Sequence, residues 1–188
     1  MFEPSSLVIV ADRPLPAAGS LSPALKARTT IVACETGAAP DLPEALQGLA
    51  AGERPDLALV CVSPAVLPET LRRLSPLAPR SVILLPHELP DPYPRGTLAL
   101  CRAWAEENRC ELLGPRSFGA QRPHAGLNLS QHPVLARAGR VALLAQSRSI
   151  MAAVMDWAED VHIGFSTAVS LGDEAVEKPM CTCLLYTS

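Results

Sequence analysis

The residues best placed to do chemistry follow an apolar run in the last third of the chain. The run 140–145 predicts a buried strand, and it is followed by Gln146, Ser147, Arg148 and Ser149 at the start of a predicted helix. A helix start presents unpaired N–H groups and the positive end of the helix dipole. We therefore predict that these four residues face a phosphate. Plain helix capping is the alternative role for Ser147 and Ser149.

Four further polar turns each follow a predicted strand. Ligands of parallel α/β sheets bind beyond the carboxyl ends of the strands, so these turns are candidate cofactor-binding sites. The candidate residues in them are Asp12, Arg13, Ser63, Pro64, Pro86, His87, Pro115, Arg116 and Ser117. For Arg116 and Ser117, stabilisation of a tight turn is an equal alternative.

Strands alternate with helices along the chain. Strands are predicted at 6–11, 29–34, 56–62, 81–85, 110–113, 140–145 and 165–171, and helices at 42–49, 66–74, 96–108 and after 146. The strands are continuous apolar runs, which predicts an α/β fold with a parallel sheet covered on both faces. Residues 1–122 form the predicted first domain, 123–139 a connection with little periodicity, and 140–176 the start of a second unit.

Composition excludes several classes of protein. The 188 residues are 48% hydrophobic and 19% charged, which is enough for a real core and excludes disorder. A net charge of -3 argues against nucleic acid as a partner. No apolar run reaches the roughly 20 residues that span a bilayer, and no signal-peptide pattern is present. We expect a cytoplasmic protein that does not bind membranes, with its oligomeric state left open.

Several conspicuous residues have simple structural explanations. Trp104 and Trp157 lie among apolar residues of predicted helices, so both are expected in the core. His124, His132 and His162 are expected to be solvated. The C-x-C pair at the end of the chain lacks the second pair of ligands that a zinc site needs, so we predict no metal.

A series of motifs carries a family resemblance. They are SLVIVA, PDLALVCVSPA, SVILLP, ELLGPRSFG, GLNLS, GRVALLAQS and MDWAEDVHIGFSTAVSLGD, in that order. The series resembles the CoA-binding domain and the start of the next domain of NDP-forming acyl-CoA synthetases. This superfamily includes the succinyl-CoA synthetase α-subunit, ADP-forming acetate–CoA ligases and GNAT-fused bacterial protein lysine acetyltransferases. The GLN and DWA…GFS…SLGD motifs most resemble the acetyltransferase branch.

The resemblance implies a fold and a set of partners. It implies a Rossmann-like CoA-binding domain over 1–122 and the start of a flavodoxin-like, succinyl-CoA-synthetase-like domain over 140–176. CoA or acetyl-CoA is the implied ligand, with ATP or ADP handled by regions outside this chain. The implied partner is a downstream GNAT-type or ATP-grasp domain. Segment 177–188 continues no family pattern and is expected to be non-native.

Three departures from the family bear on function. The Gly-containing turn after the first strand contains Asp12 and Arg13 here, the family's Gly-Pro-Asn turn ends in Arg116, and the Ser-Gln-Ser-Gly helix start ends in Arg148. The negative charge of the Asp12 carboxylate would repel a diphosphate, although the Arg13 guanidinium could pair with that diphosphate. These losses favour a degenerate, regulatory CoA-binding region of a lysine acetyltransferase. The alternatives are the α-type portion of a synthetase working through a phosphohistidine outside this chain, and a relic that binds nothing. None of them gives this chain a catalytic residue.

Overall fold

The structure, a computed structural model, describes residues 4–13, 15, 21–35, 38, 54–85 and 96–172. The predicted helix 42–49, the turn residues Pro86 and His87, and the segment 177–188 lie outside the described residues. None of the helices in the described ranges is long and apolar enough to cross a membrane.

The first sheet contains the five strands that the N-terminal apolar runs predict. They are β1 Leu7–Ala11, β2 Thr29–Ala33, β3 Leu57–Cys61, β4 Ser81–Leu84 and β5 Glu111–Leu113. All neighbours pair in parallel, in the order β2-β1-β3-β4-β5. The predicted parallel α/β fold is confirmed. Because β2 and β3 lie on opposite sides of β1, the sheet has a topological switch point between β1 and β3.

Helices flank both faces of this sheet: the two longer helices cover one face, whereas Leu25 of the shortest helix packs against the cluster on the other face. Helix α1 spans Pro23–Lys26, α2 spans Leu67–Leu74 and α3 spans Thr97–Glu107. Apolar residues of α2 recur at helical spacing, and α2 and α3 pack with β1 to β5 in a single core. Leu71 at its centre is fully buried.

A second, four-stranded sheet follows. Its strands are β6 Gly119–Arg122, β7 Leu127–Ser130, β8 Ala138–Ala145 and β9 Phe165–Ser170, in the order β7-β6-β9-β8. Strands β6 and β7 form an antiparallel hairpin, β6 is antiparallel to β9, and β8 is parallel to β9. Helix α4, Arg148–Asp160, connects β8 to β9.

The β6–β7 hairpin corrects the sequence interpretation, because β7 lies inside the predicted connection 123–139. Three fully buried polar side chains hide its strand pattern: Gln121, Asn128 and Ser130. The Gln121 amide nitrogen donates to Asn128 Oδ1 at 3.1 Å and to Ser130 Oγ at 3.0 Å. These bonds satisfy polar groups that would otherwise be costly to bury. The domain limits drawn from the sequence stay a prediction.

The second sheet covers the other face of the first sheet. Leu127 and Leu129 of β7 and Val169 of β9 share one buried cluster with Leu7 and Ile9 of β1. The two sheets therefore bury a common apolar layer.

Helix α4 buries one stripe and exposes another. Met151 and Met155 pack against the second sheet, whereas Ile150 is 59% and Trp157 is 56% exposed. The expectation that Trp157 lies in the core is wrong, because its position faces away from the buried methionine stripe. Trp104 is 8% exposed and lies in the core, as expected.

Candidate functional site

An open cavity lies between the two α/β units. Its volume is about 920 Å³. The lining residues come from α3, from the turn after β5, from the start of α4 and from the end of β9: Leu98, Arg102, Arg116, Phe118, Gln146, Ser147, Arg148, Ser149, Ala152 and Gly172. Three of these ten residues are arginines and none is acidic, so the cavity is suited to an anion.

The start of α4 forms one wall of the cavity. Ser147 is the N-cap, and its hydroxyl accepts a hydrogen bond from the Ile150 N–H at 3.3 Å. The first helical bond runs from the Met151 N–H to the Ser147 carbonyl at 3.0 Å. Ser147 therefore caps the helix, as the simpler interpretation expected. The N–H groups of Arg148 and Ser149 precede the first acceptor in the helix, and the helix dipole is positive there.

Arg148 lines the cavity and is partly buried. Its Nη2 donates to Gln131 Oε1. Its Nε is buried and has no hydrogen-bond partner among the described residues. Burial lowers the pKa of Arg148, and the nearby charge of Arg116 lowers it further. A bound anion would relieve both effects, because it would supply an acceptor and screen the two cations from each other.

The turn after β5 contributes another part of the lining. Arg116 occupies it with φ of 68° and is exposed. Ser117 is fully buried; its hydroxyl donates to the Ser170 carbonyl and accepts from the Gly119 N–H, the latter at 2.8 Å. Ser117 thus stabilises the turn, while Arg116 lines the cavity.

Gly172 allows the second sheet to reach this turn. Its φ is 68°, and a Cβ added there would lie 2.7 Å from the Ser117 nitrogen and 2.9 Å from the Pro115 carbonyl oxygen. A glycine is required, both for the left-handed conformation and for the close approach of two backbones.

A separate group of predicted residues lies at the switch point of the first sheet. Asp12 is only 6% exposed, and its Oδ2 accepts a hydrogen bond from the Ser63 N–H at 3.0 Å. Burial raises the pKa of the Cys61 thiol to about 12, with a further contribution from the Asp12 carboxylate and an opposing one from Arg13. Ser63 is not the cap of α2, because that helix starts after Val66.

The structure divides the predicted site residues into two groups. Arg116 and 146–149, which come from different predicted sites, line one cavity. Asp12, Arg13 and 63–64 are not among its lining residues. Pro115 and Ser117 are buried in the turn beneath Arg116. The binding role of each residue stays a prediction.

Sequence reasoning missed half of the cavity lining, namely Leu98, Arg102, Phe118, Ala152 and Gly172. Leu98 and Arg102 are four residues apart, so they share a face of α3, but nothing in the sequence distinguishes that face as a ligand surface. The tertiary fold alone brings this face of α3 close to the start of α4.

His132 packs against Phe118, a residue that lines the cavity, and it is not the solvated side chain that the sequence predicts. Its side chain is 15% exposed, and its Nε2 lies 3.0 Å from Asp156 Oδ1 on α4. The ring meets Phe118 edge to face, with centroids 6.5 Å apart.

Within the described residues, no group of three His, Cys, Asp or Glu side chains could hold a metal ion.

Comparison with known proteins gives a consistent relationship. Residues 138–178 match the family described as the succinyl-CoA ligase like flavodoxin domain. An ADP-forming acetate–CoA ligase I of Archaeoglobus fulgidus is 35% identical over 72 residues, which are 38% of this chain and 10% of that protein. An ADP-forming acetate–CoA ligase of Methanocaldococcus jannaschii is 25% identical over 120 residues, which are 64% of this chain and 17% of that protein.

The solved structures agree on the fold. A dinucleotide-forming acetyl-coenzyme A synthetase 1 of Ca. Korarchaeum cryptofilum, in complex with phosphate and ADP, superposes with a TM-score of 0.77 at 18% identity. The match covers 98% of this chain and 41% of that one. These matches confirm the resemblance of this chain to NDP-forming acyl-CoA synthetases, and residues 138–178 match the flavodoxin-like unit. The curated relatives named above are acetate–CoA ligases, and this chain spans less than a fifth of either one.

Proposed function

We propose that this chain is the α-type portion of an NDP-forming acyl-CoA synthetase, and that the arginine-lined cavity holds a phosphate-bearing group of its reaction. The observation that supports this proposal is the meeting of Arg102, Arg116 and Arg148 with the start of α4 in one cavity. The relatives are ligases, which favours this function over an acetyltransferase.

The chemistry assigned to the cavity is electrostatic. In the reaction that the resemblance implies, a phosphohistidine passes its phosphoryl group to the carboxylate of the acid, and the CoA thiol then displaces phosphate from the resulting acyl phosphate to form the thioester. Arginine guanidinium groups bind phosphate oxygens in a planar, two-point geometry. Donors fixed beforehand stabilise negative charge as it develops. The resemblance implies that this reaction also uses a phosphohistidine and an ATP-grasp region, and we propose that it takes place in the cytoplasm.

Calorimetric titration of this chain with inorganic phosphate tests the proposal. Arg148→Gln and Arg116→Gln each remove one cation from the cavity, and we expect each to weaken binding roughly tenfold or more, since a hydrogen bond to a charged group is worth about 1.5–3 kcal/mol. Arg72→Gln is the control, because the Arg72 side chain is 71% exposed on α2 and does not line the cavity. Equal affinity in all four proteins, or no binding by the wild type, would refute the assignment.

A second function is supported by a specific observation. The buried carboxylate of Asp12 lies at the switch point, where its negative charge would repel a CoA diphosphate. A regulatory region of a lysine acetyltransferase, whose CoA site is degenerate at the switch point, would tolerate such a change. A long sequencing read of the gene beyond Ala175 separates the two functions. A GNAT-type domain would support regulation, and a phosphohistidine segment with an ATP-grasp region would support the ligase.

A further inference from the structure

The switch point of the first sheet is a second place where a ligand would be expected. Strand β1 leads to a helix on one face of the sheet and β3 leads to a helix on the other face, and open α/β sheets bind ligands at such a point. Asp12 follows β1, and Ser63 lies two residues beyond β3. The N–H groups in turns of this kind commonly receive the phosphate of a ligand.

In this chain the donor at the switch point is already engaged. The Asp12 N–H donates to the Cys61 carbonyl at 3.1 Å, which continues the β1–β3 ladder by one residue. Its side chain then turns back, so that Oδ2 accepts the Ser63 N–H at 3.0 Å. With 6% of its surface exposed, Asp12 is part of the wall between the two loops.

The negative charge of Asp12 also acts on two thiols near the strand ends. It contributes, after burial, to the raised pKa of the thiols of Cys34 beyond β2 and Cys61 at the end of β3. An incoming phosphate would therefore meet a negative charge at close range in addition to an occupied donor.

We propose that the Asp12 carboxylate prevents phosphate-bearing ligands from binding at the switch point, because it accepts the hydrogen bond of the Ser63 N–H that a phosphate would otherwise accept. Phosphate and phosphate esters then have to bind elsewhere. This inference is independent of the function assigned to the arginine-lined cavity.

Amide NMR spectra of the chain, titrated with pyrophosphate and separately with CoA, test the proposal at single residues. In the wild type we expect no saturable shift of the Ser63 amide. In Asp12→Ser we expect the Ser63 amide to shift saturably, with affinity at the switch point at least tenfold higher than in the wild type, as expected from removing a like charge a few ångströms from the ligand. Amides of Ser149 and Ile150 report the arginine-lined cavity in the same spectra, so failure there would count against the proposed function alone.

Two further variants complete the test. Asp12→Asn keeps the shape and the acceptor oxygen but removes the charge, so it remains informative if the serine variant fails to fold, and we expect a smaller gain. Asp160→Asn removes an exposed carboxylate from the far end of α4 and should leave the Ser63 amide unresponsive. A saturable Ser63 shift in the wild type would overturn the proposal. So would unresponsive Ser63 amides in folded variants at Asp12.

Discussion

Replacing Gly172 by alanine should loosen the contact that joins the two units beside the cavity. Gly172 has φ of 68°, and the three atoms nearest to an added Cβ are the Ser117 nitrogen at 2.7 Å, the Arg116 carbonyl carbon at 2.8 Å and the Pro115 oxygen at 2.9 Å. All three are backbone atoms of one tight turn, so they cannot rotate away as a side chain would. The turn itself has to move.

The magnitude of this effect can be separated into two contributions. Alanine in a left-handed conformation costs about 1 kcal/mol. Forcing a methyl group into a closely packed site adds about 2 kcal/mol. Gly126 is a matched control, because its φ is 62° but an added Cβ would meet only Ser22 at ordinary contact distance, with its Cβ at 3.6 Å and its nitrogen at 4.0 Å. Gly126→Ala should therefore show the first contribution alone.

Thermal and urea unfolding of the two variants measure the difference. We expect Gly172→Ala to lower Tm by about 9 °C and Gly126→Ala by about 3 °C, since 1 kcal/mol corresponds to about 2–4 °C in a chain of this size. Phosphate affinity should fall only in Gly172→Ala, because only that variant displaces Arg116. If the two variants lose equal stability, the close approach at Gly172 does not have the assigned energetic role.

Other predictions concern the core, the thiols and acid stability. Leu71→Ala should lower the free energy of unfolding by about 3 kcal/mol in urea titrations, because the side chain is fully buried. Burial raises the pKa of the Cys61 and Cys101 thiols to about 12, so both should resist alkylation at mildly alkaline pH until denaturant is added. Hydrogen bonds from Ser5 lower the pKa of Asp56, so the stability that this carboxylate confers is present above its unfolded pKa and is lost as the pH falls through the folded pKa. Asp56→Asn should flatten the decline in stability below about pH 4.

The first sheet could be predicted almost completely from the sequence, because its strands are continuous apolar runs. Leu57–Cys61, for example, is buried at every position, and no other pattern competes with a parallel strand there. The hairpin of the second sheet could not be predicted in the same way. Gln121 and Asn128 occupy buried strand positions and satisfy each other, so the apolar signal that identifies a strand is absent where β6 and β7 pair.

The candidate site could be predicted in pieces but not as a whole. The helix start at 146–149 has a local signal, namely a serine and polar residues after an apolar strand. Arg116 follows a different strand, β5, and the sequence predicts a cofactor-binding role for it, not a place beside the phosphate-facing helix start. Their meeting depends on β9 pairing with β6, with Gly119 opposite Ser170, and this long-range register has no local sequence signal. Arg102 has none either, since an arginine on an amphipathic helix is ordinarily a solvated residue.

The apolar layer shared by the two sheets has a consequence for how a ligand would enter. Close-packed interiors resist sliding, so moving the second sheet, with α4 packed on it, away from the first sheet would separate Leu129 and Val169 from the β1 face. The apolar layer therefore holds the two units that flank the cavity together before any ligand arrives. Under that geometry the rate of anion entry is set by long-range attraction to the arginines, and it should fall steeply as ionic strength rises.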